Sequence, residues 1–181
     1  MQVKPSALPD VLIIEPKLFH DERGFFYESF NEAAFARATG ISARFVQDNH
    51  SYSVNNVLRG LHYQIKQPQG KLIQVISGEV FDVAVDLRRR SKTFGKWVGY
   101  ALRAEHRHAV WIPPGFAHGF LVLSDGAEVV YKVTDYWAPG FERKVLWNDP
   151  DLDIRWPLQS EPLLSAPDHS AQRFRDAELF E

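Results

Sequence analysis

The clearest hydrophobic pattern in the chain is the run GKLIQVISGEVFDVAVDLR. From Val80 to Leu87, Phe81, Val83, Val85 and Leu87 alternate with Asp82, Ala84 and Asp86, the period of two of a β-strand. Ser77-Gly78 interrupts the run and predicts a turn between two strands. Short runs of similar character follow in KWVGYAL, HAVWIPPG, HGFLVLS and AEVVYKVTDYW, with Gly, Pro, Asn or Asp between them at the spacing of a sandwich or barrel. Upstream, VLIIEPKLF, GFFYESF and RFVQDNHS also read as strands. One segment carries helical signals. NEAAFARATG offers Asn31 as N-cap, Ala and Phe at helical spacing, and Gly40 as C-cap. After Trp156 the pattern breaks up among Pro and Ser residues, so the tail is expected to wrap the body, with a short helix near its end. No repeat, linker or low-complexity stretch divides the chain. Many short strands and few helices predict a double-sheet jelly roll or a small barrel, in one domain spanning 1–181.

Composition narrows the function classes. With 181 residues the chain can bury a core without staples. It has no cysteine, which removes disulfide and thiolate chemistry and fits a reducing compartment. A net charge of −2 argues against a general nucleic-acid surface, and Arg88-Arg89-Arg90 after a strand reads as a solvated turn. The opening MQVKPSALPD lacks the apolar core of a signal peptide, and no apolar stretch is long enough to span a bilayer. The expectation is a soluble cytoplasmic protein without nucleic-acid or membrane partners. Aromatics make up 13% of the chain, which suits either a β core or a pocket for a flat ligand.

Candidate chemistry starts in VLRGLHYQ. A single histidine in an apolar strand is commonly a satisfied core or surface residue, but His62 has Arg59 three positions before it. In a regular strand those two side chains face opposite ways. A break at Gly60, such as a bulge, is needed to bring them into one pocket. WIPPGFAHGF contains the Pro-x-Gly-x-x-His pattern of the second cupin motif, as Pro113, Gly115 and His118. The first cupin motif supplies two histidines one residue apart and then a glutamate seven residues before a glycine. Here those positions read His62 and Gln64, then Lys71 seven residues before Gly78. An ammonium is donor-only and repels a divalent metal, so the frame looks like a cupin whose metal site has become a cationic pocket suited to an anion. In VVYKVTDYW, Tyr131 is either a core tyrosine or a phenolic proton donor. Asp168, in LLSAPDHS, reads by itself as a turn former or cap.

Together, PDVLIIEPKLFHDERGFFYESFN, FVQDNHS, VLRGLHYQ, QGKLIQVISGEVFDVAVDLR, TFGKW, WIPPGFAHGF, YKVTDYW, LWNDP and LSAPD resemble, in order and spacing, the dTDP-4-dehydrorhamnose 3,5-epimerases. The resemblance implies an all-β, cupin-like double-sheet jelly roll with a few short helices. It implies epimerisation at C3 and C5 of dTDP-4-dehydro-6-deoxy-D-glucose, by proton abstraction next to the C4 ketone, on the route to dTDP-L-rhamnose. No metal and no cofactor is implied. By resemblance His62 is the general base, Asp168 its carboxylate partner, Tyr131 the acid on the opposite face, and Lys71 the cation for the enolate oxygen. Arg59 and Arg23 hold the diphosphate, and His118 lines the substrate site. Glu28, Gln47 and Asn49 meet the nucleotide end, with Glu142 a further contact. Tyr136 stacks on thymine with Phe19 nearby. The implied assembly is a homodimer that exchanges N-terminal strands, which puts Arg23 and Glu28 in the partner's site. One departure stands out: the family commonly has a lysine before the aspartate of its Leu-Ser-x-Lys-Asp stretch, and here the position is Pro167. The alternatives are an epimerase acting at C3 or C5 alone on another dTDP-ketosugar, a metal-dependent cupin using His62 and His118, and a binding module without chemistry.

Overall fold

The structure is a computed structural model that describes residues 1–181. In chain order its strands are β1 (Gln2–Pro5), β2 (Leu12–Glu15), β3 (Phe19–Asp21), β4 (Gly24–Phe26), β5 (Gln47–Val54), β6 (Leu58–Gln64) and β7 (Lys71–Ser77). They continue with β8 (Glu79–Asp86), β9 (Trp97–Arg103), β10 (Ala109–Ile112), β11 (Phe116–Val122), β12 (Gly126–Val133) and β13 (Glu142–Lys144). Two helices are α1 (Glu32–Thr39) and α2 (Ala166–His169).

Alternation along these strands builds a jelly roll of two antiparallel sheets. One has the order β1-β2-β10-β7-β12-β5 and the other β13-β6-β11-β8-β9. Ile73 and Val75 of β7, Val129 of β12, Val80 and Ala84 of β8, and Phe116 and Phe120 of β11 meet between the sheets in one buried cluster. Each of the Ile, Val and Phe side chains contributes about 1.5–3 kcal/mol by leaving water.

The outer faces are covered as well. On the six-stranded sheet, α1 lays Phe35 (1% exposed) edge-on to Trp111 and Phe45. Its start and stop are the expected ones: Asn31 Oδ1 accepts from the Ala34 N–H, and Gly40 adopts a left-handed φ of 73°. On the five-stranded sheet, the tail covers Leu61, Tyr63, Val83, Val85 and Leu87 with Leu152, Ala177 and Leu179. It is tied down by bridges Val57–Leu163, Val145–Gln172 and Arg88–Phe180. Tyr63 donates to the Glu178 carbonyl at 2.6 Å, and burial pushes its phenol up to about 12.

Several local expectations change. Both faces of β8 are buried, so its alternating aspartates do not meet water. Asp82 points between the sheets at 3% exposure, and Asp86 is 0% exposed among Arg88, Ser91 and Thr93. Arg88 is therefore an ion-paired structural residue, bonded to Asp86 and Asp10, rather than part of a solvated turn. VLIIEPKLF divides into β2 and β3, and β1 and β13 carry no recognisable period because each is a short edge. β3 and β4 form a hairpin that belongs to neither sheet and leaves Phe19, Phe25 and Phe26 exposed. β1 and β2 pair within their own chain, β2 against β10. The chain crosses from β7 in one sheet to β8 in the other at Gly78, φ 77°, where a Cβ would lie 2.1 Å from the Gly126 carbonyl oxygen.

Candidate active site

The site is built on a fault in β6. His118 pairs with His62 and Phe120 with Arg59, so Gly60 and Leu61 together face the single residue Gly119. One extra residue is therefore accommodated, and Arg59 and His62 share the inner face of the sheet although they are three apart. Only glycine fits: Gly60 has φ 132°, and a Cβ there would lie 2.5 Å from the Gly119 Cα.

His62 opens into a cleft between the sheets lined also by Gln47, Asn49, Lys71, Tyr131, Trp137 and Glu142. Its Nε2 lies 2.6 Å from Asp168 Oδ1. The aspartate is brought 106 residues along the chain by α2, whose N-cap Ser165 accepts from the Asp168 N–H. Although Asp168 reads in sequence as a loop residue, it is 2% exposed. Burial raises its carboxyl, but the hydrogen bond to His62, its charge and the ammonium of Lys144 bring it below the ordinary carboxylate range.

Lys71 enters from β7 in the opposite sheet. Burial pushes its ammonium down to about 8, and only the nearby carboxylates Asp82 and Glu142 keep it from falling further. Tyr131, two positions from Lys71's cross-strand partner Val133, enters from β12. Burial raises its phenol, while the guanidinium of Arg59 opposes the rise. That guanidinium is aimed by Ser53 Oγ, 2.9 Å from Nε, and by the Tyr52 carbonyl. A histidine–carboxylate pair on one wall thus faces a phenol and an ammonium on the other.

Gln64 sits where a metal cupin has its second histidine. Its amide nitrogen donates to the Gln67 and Tyr136 carbonyls, and its oxygen accepts from the Ala138 N–H. It fixes the segment that carries Trp137. That indole donates to Glu142 at 3.0 Å, and the Trp137 N–H donates to Gln47. His118 lies beside the cleft at 7% exposure, 2.7 Å from Asp82, and burial depresses its pKa. No three His, Asp or Glu side chains gather as a metal-ligating set, and no helix is long and apolar enough to cross a membrane.

The cleft thus brings together His62, Asp168, Lys71, Tyr131, Gln47, Asn49 and Glu142, with Arg59 at its edge. Within one chain it does not bring in Phe19 or Arg23, which stand on the β3–β4 hairpin. Arg23 pairs with Asp21, Glu28 accepts from Asn31, and Tyr136 is 61% exposed outside the lining. Trp137, Lys144 and Asp82 carry no motif of their own. The only signal for Trp137 is its place beside Tyr136 in DYW.

A family model described as dTDP-4-dehydrorhamnose 3,5-epimerase matches residues 5–176. The chain belongs to this epimerase family. It is accordingly an isomerase of the nucleotide-sugar class. The epimerase of that name from Pseudomonas aeruginosa is 59% identical over 180 residues, covering 99% of each chain. The solved 3,5-epimerase from Legionella pneumophila, in complex with dTDP-4-keto-L-rhamnose, superposes with a TM-score of 0.97 at 49% identity, covering 99% of this chain and 97% of that one. A 3'-monoepimerase from Streptomyces bikiniensis, in complex with dTDP-quinovose, shares the fold more distantly at TM-score 0.89 and 36% identity, covering 97% of this chain and 88% of that one.

Proposed function

We propose that this epimerase inverts C3 and C5 of dTDP-4-dehydro-6-deoxy-D-glucose, giving dTDP-4-dehydro-L-rhamnose. The observation that carries the reading is the His62–Asp168 pair on one wall of a cleft whose other wall presents Tyr131 and Lys71. His62 takes the proton from the carbon beside the C4 ketone, and the electron pair moves onto the ketone oxygen. Asp168 orients the ring and stabilises the imidazolium that forms, a type of help worth about 10²–10⁴-fold. Lys71 sets a fixed cation where the oxyanion grows. Tyr131 returns a proton to the opposite face, the configuration inverts, and His62 and Tyr131 exchange their protons with water before the second carbon reacts. Arg59 grips the diphosphate through its planar fork, with Gln47, Asn49 and Glu142 along the substrate and His118 supporting from beneath.

The active unit in this reading is a homodimer in the cytoplasm. The exposed phenylalanines of the β3–β4 hairpin support it, since a protruding apolar arm is the natural piece to lie across a second subunit. Arg23, Glu28 and Phe19 then complete the partner's site, near Tyr136. Inversion at both carbons is favoured over a single-site reaction because the Pseudomonas aeruginosa 3,5-epimerase is 59% identical to this chain, against 36% for the monoepimerase.

The test is incubation with dTDP-4-dehydro-6-deoxy-D-glucose in D₂O. Deuterium at both C3 and C5 with inversion is expected. Label at one carbon would make the enzyme a monoepimerase, and no label would remove the reading.

A further inference from the structure

Lys144 takes no part in the scheme above, yet its ammonium lies 3.5 Å from Asp168 Oδ1, the same oxygen that His62 reaches at 2.6 Å. It also lies 3.2 Å from Glu142 Oε1. It comes from β13, directly opposite His62 in the ladder. Its side chain is 24% exposed and that of Asp168 only 3%.

This geometry answers a charge problem in the proposed reaction. A general base must begin neutral. Without Lys144 the buried Asp168 carboxylate would in that state have only an uncharged ring beside it, and a buried charge without a counter-charge is strongly unfavourable. The pair would gain by taking up a proton, and a protonated pair cannot act as a base. Asp168 has two ionic contacts, His62 and Lys144, and Lys144 alone is charged when His62 is neutral. The segment bearing the aspartate offers no cation at the preceding position, where Pro167 is the second residue of α2. The other charged or titratable groups facing the pair are Glu142 on β13, Lys71 on β7, Asp82 on β8, His118 on β11, Tyr131 on β12 and Arg59 on β6 itself.

We propose that Lys144 is a positioning residue for the base: it keeps Asp168 ionised and turned toward His62 while the imidazole is still neutral. This rests on the reading of His62 as the base. Removing the ammonium lets the pair hold a proton more tightly, so activity fails at a higher pH.

The experiment is the pH dependence of kcat/KM on dTDP-4-dehydro-6-deoxy-D-glucose for the full-length enzyme, Lys144→Met, Lys144→Gln and Lys144→Arg, with a melting temperature for each. For Met and Gln the acidic limb moves up by about 0.5 pH unit, while KM stays within about twofold. Arg returns the limb to the wild-type position. An unmoved limb in whichever neutral variant folds overturns the proposal. So does a rise in KM without movement of the limb, which would make Lys144 a substrate contact. A wild type that incorporates no deuterium overturns the underlying reading instead, and is detected before any variant is made.

Discussion

At the scale of single residues, each wall of the cleft has a distinct signature. His62→Ala should lower exchange at both carbons by about 10²–10⁴-fold, and full exchange in that variant would refute the base. Tyr131→Phe should leave proton removal largely intact but misdirect its return, so that deuterium enters with retained rather than inverted configuration, read by NMR of the recovered sugar nucleotide. Lys71 gives a pH argument. Its ammonium titrates near 8 because it is buried, so activity should fall as pH rises through about 8. Lys71→Met should lose about 10²–10³-fold together with that limb. Between about 8 and the ordinary 10.5 the unfolded chain keeps a proton that the folded chain has lost, so this lysine destabilises the fold less as pH rises. Lys71→Met should therefore melt above wild type at pH 7, and the gap should narrow toward pH 10. His62 and Lys71 were legible in the sequence because each occupies a spaced position in a known frame. Lys144, Asp82 and Trp137 were not, because no motif marks them and their contacts with Asp168, His118 and Gln47 exist only once the chain has folded.

At the scale of elements, the decisive one is the faulted strand β6. Period-two reasoning puts Arg59 and His62 on opposite faces, and the glycine between them was the one local hint of an exception. Gly60→Ala should be severe, at about 2 kcal/mol or more, since both the close approach to Gly119 and the positive φ forbid a Cβ. A urea titration checks this, with a drop in midpoint at unchanged slope. α1 and the major strands were legible because caps and alternation are local signals. β1, β13 and the true environment of β8 were not. A strand covered on both faces still shows alternation when its polar residues, here Asp82 and Asp86, find buried partners.

At the scale of the whole molecule, the hairpin of β3 and β4 separates what one chain holds from what two would share. If Arg23 serves the neighbouring site, mixing the inactive variants His62→Ala and Arg23→Ala should restore activity. Random exchange of subunits would give about a quarter of the wild-type sites. Mixed samples that stay inactive would place Arg23 in its own subunit's cleft. The sandwich could be foreseen from the spacing of strands. The hairpin's exclusion from both sheets could not, since its alternating aromatics look like any other strand. The bond between His62 and Asp168 has a consequence in time. Its partners stand 106 residues apart, so a ribosome adding about 5–20 residues per second releases the base several seconds before the carboxylate that orients it. Long-range pairings also close late in refolding. Tryptophan fluorescence should thus recover ahead of turnover, through a transient species whose sandwich is formed and whose catalyst is still uncoupled.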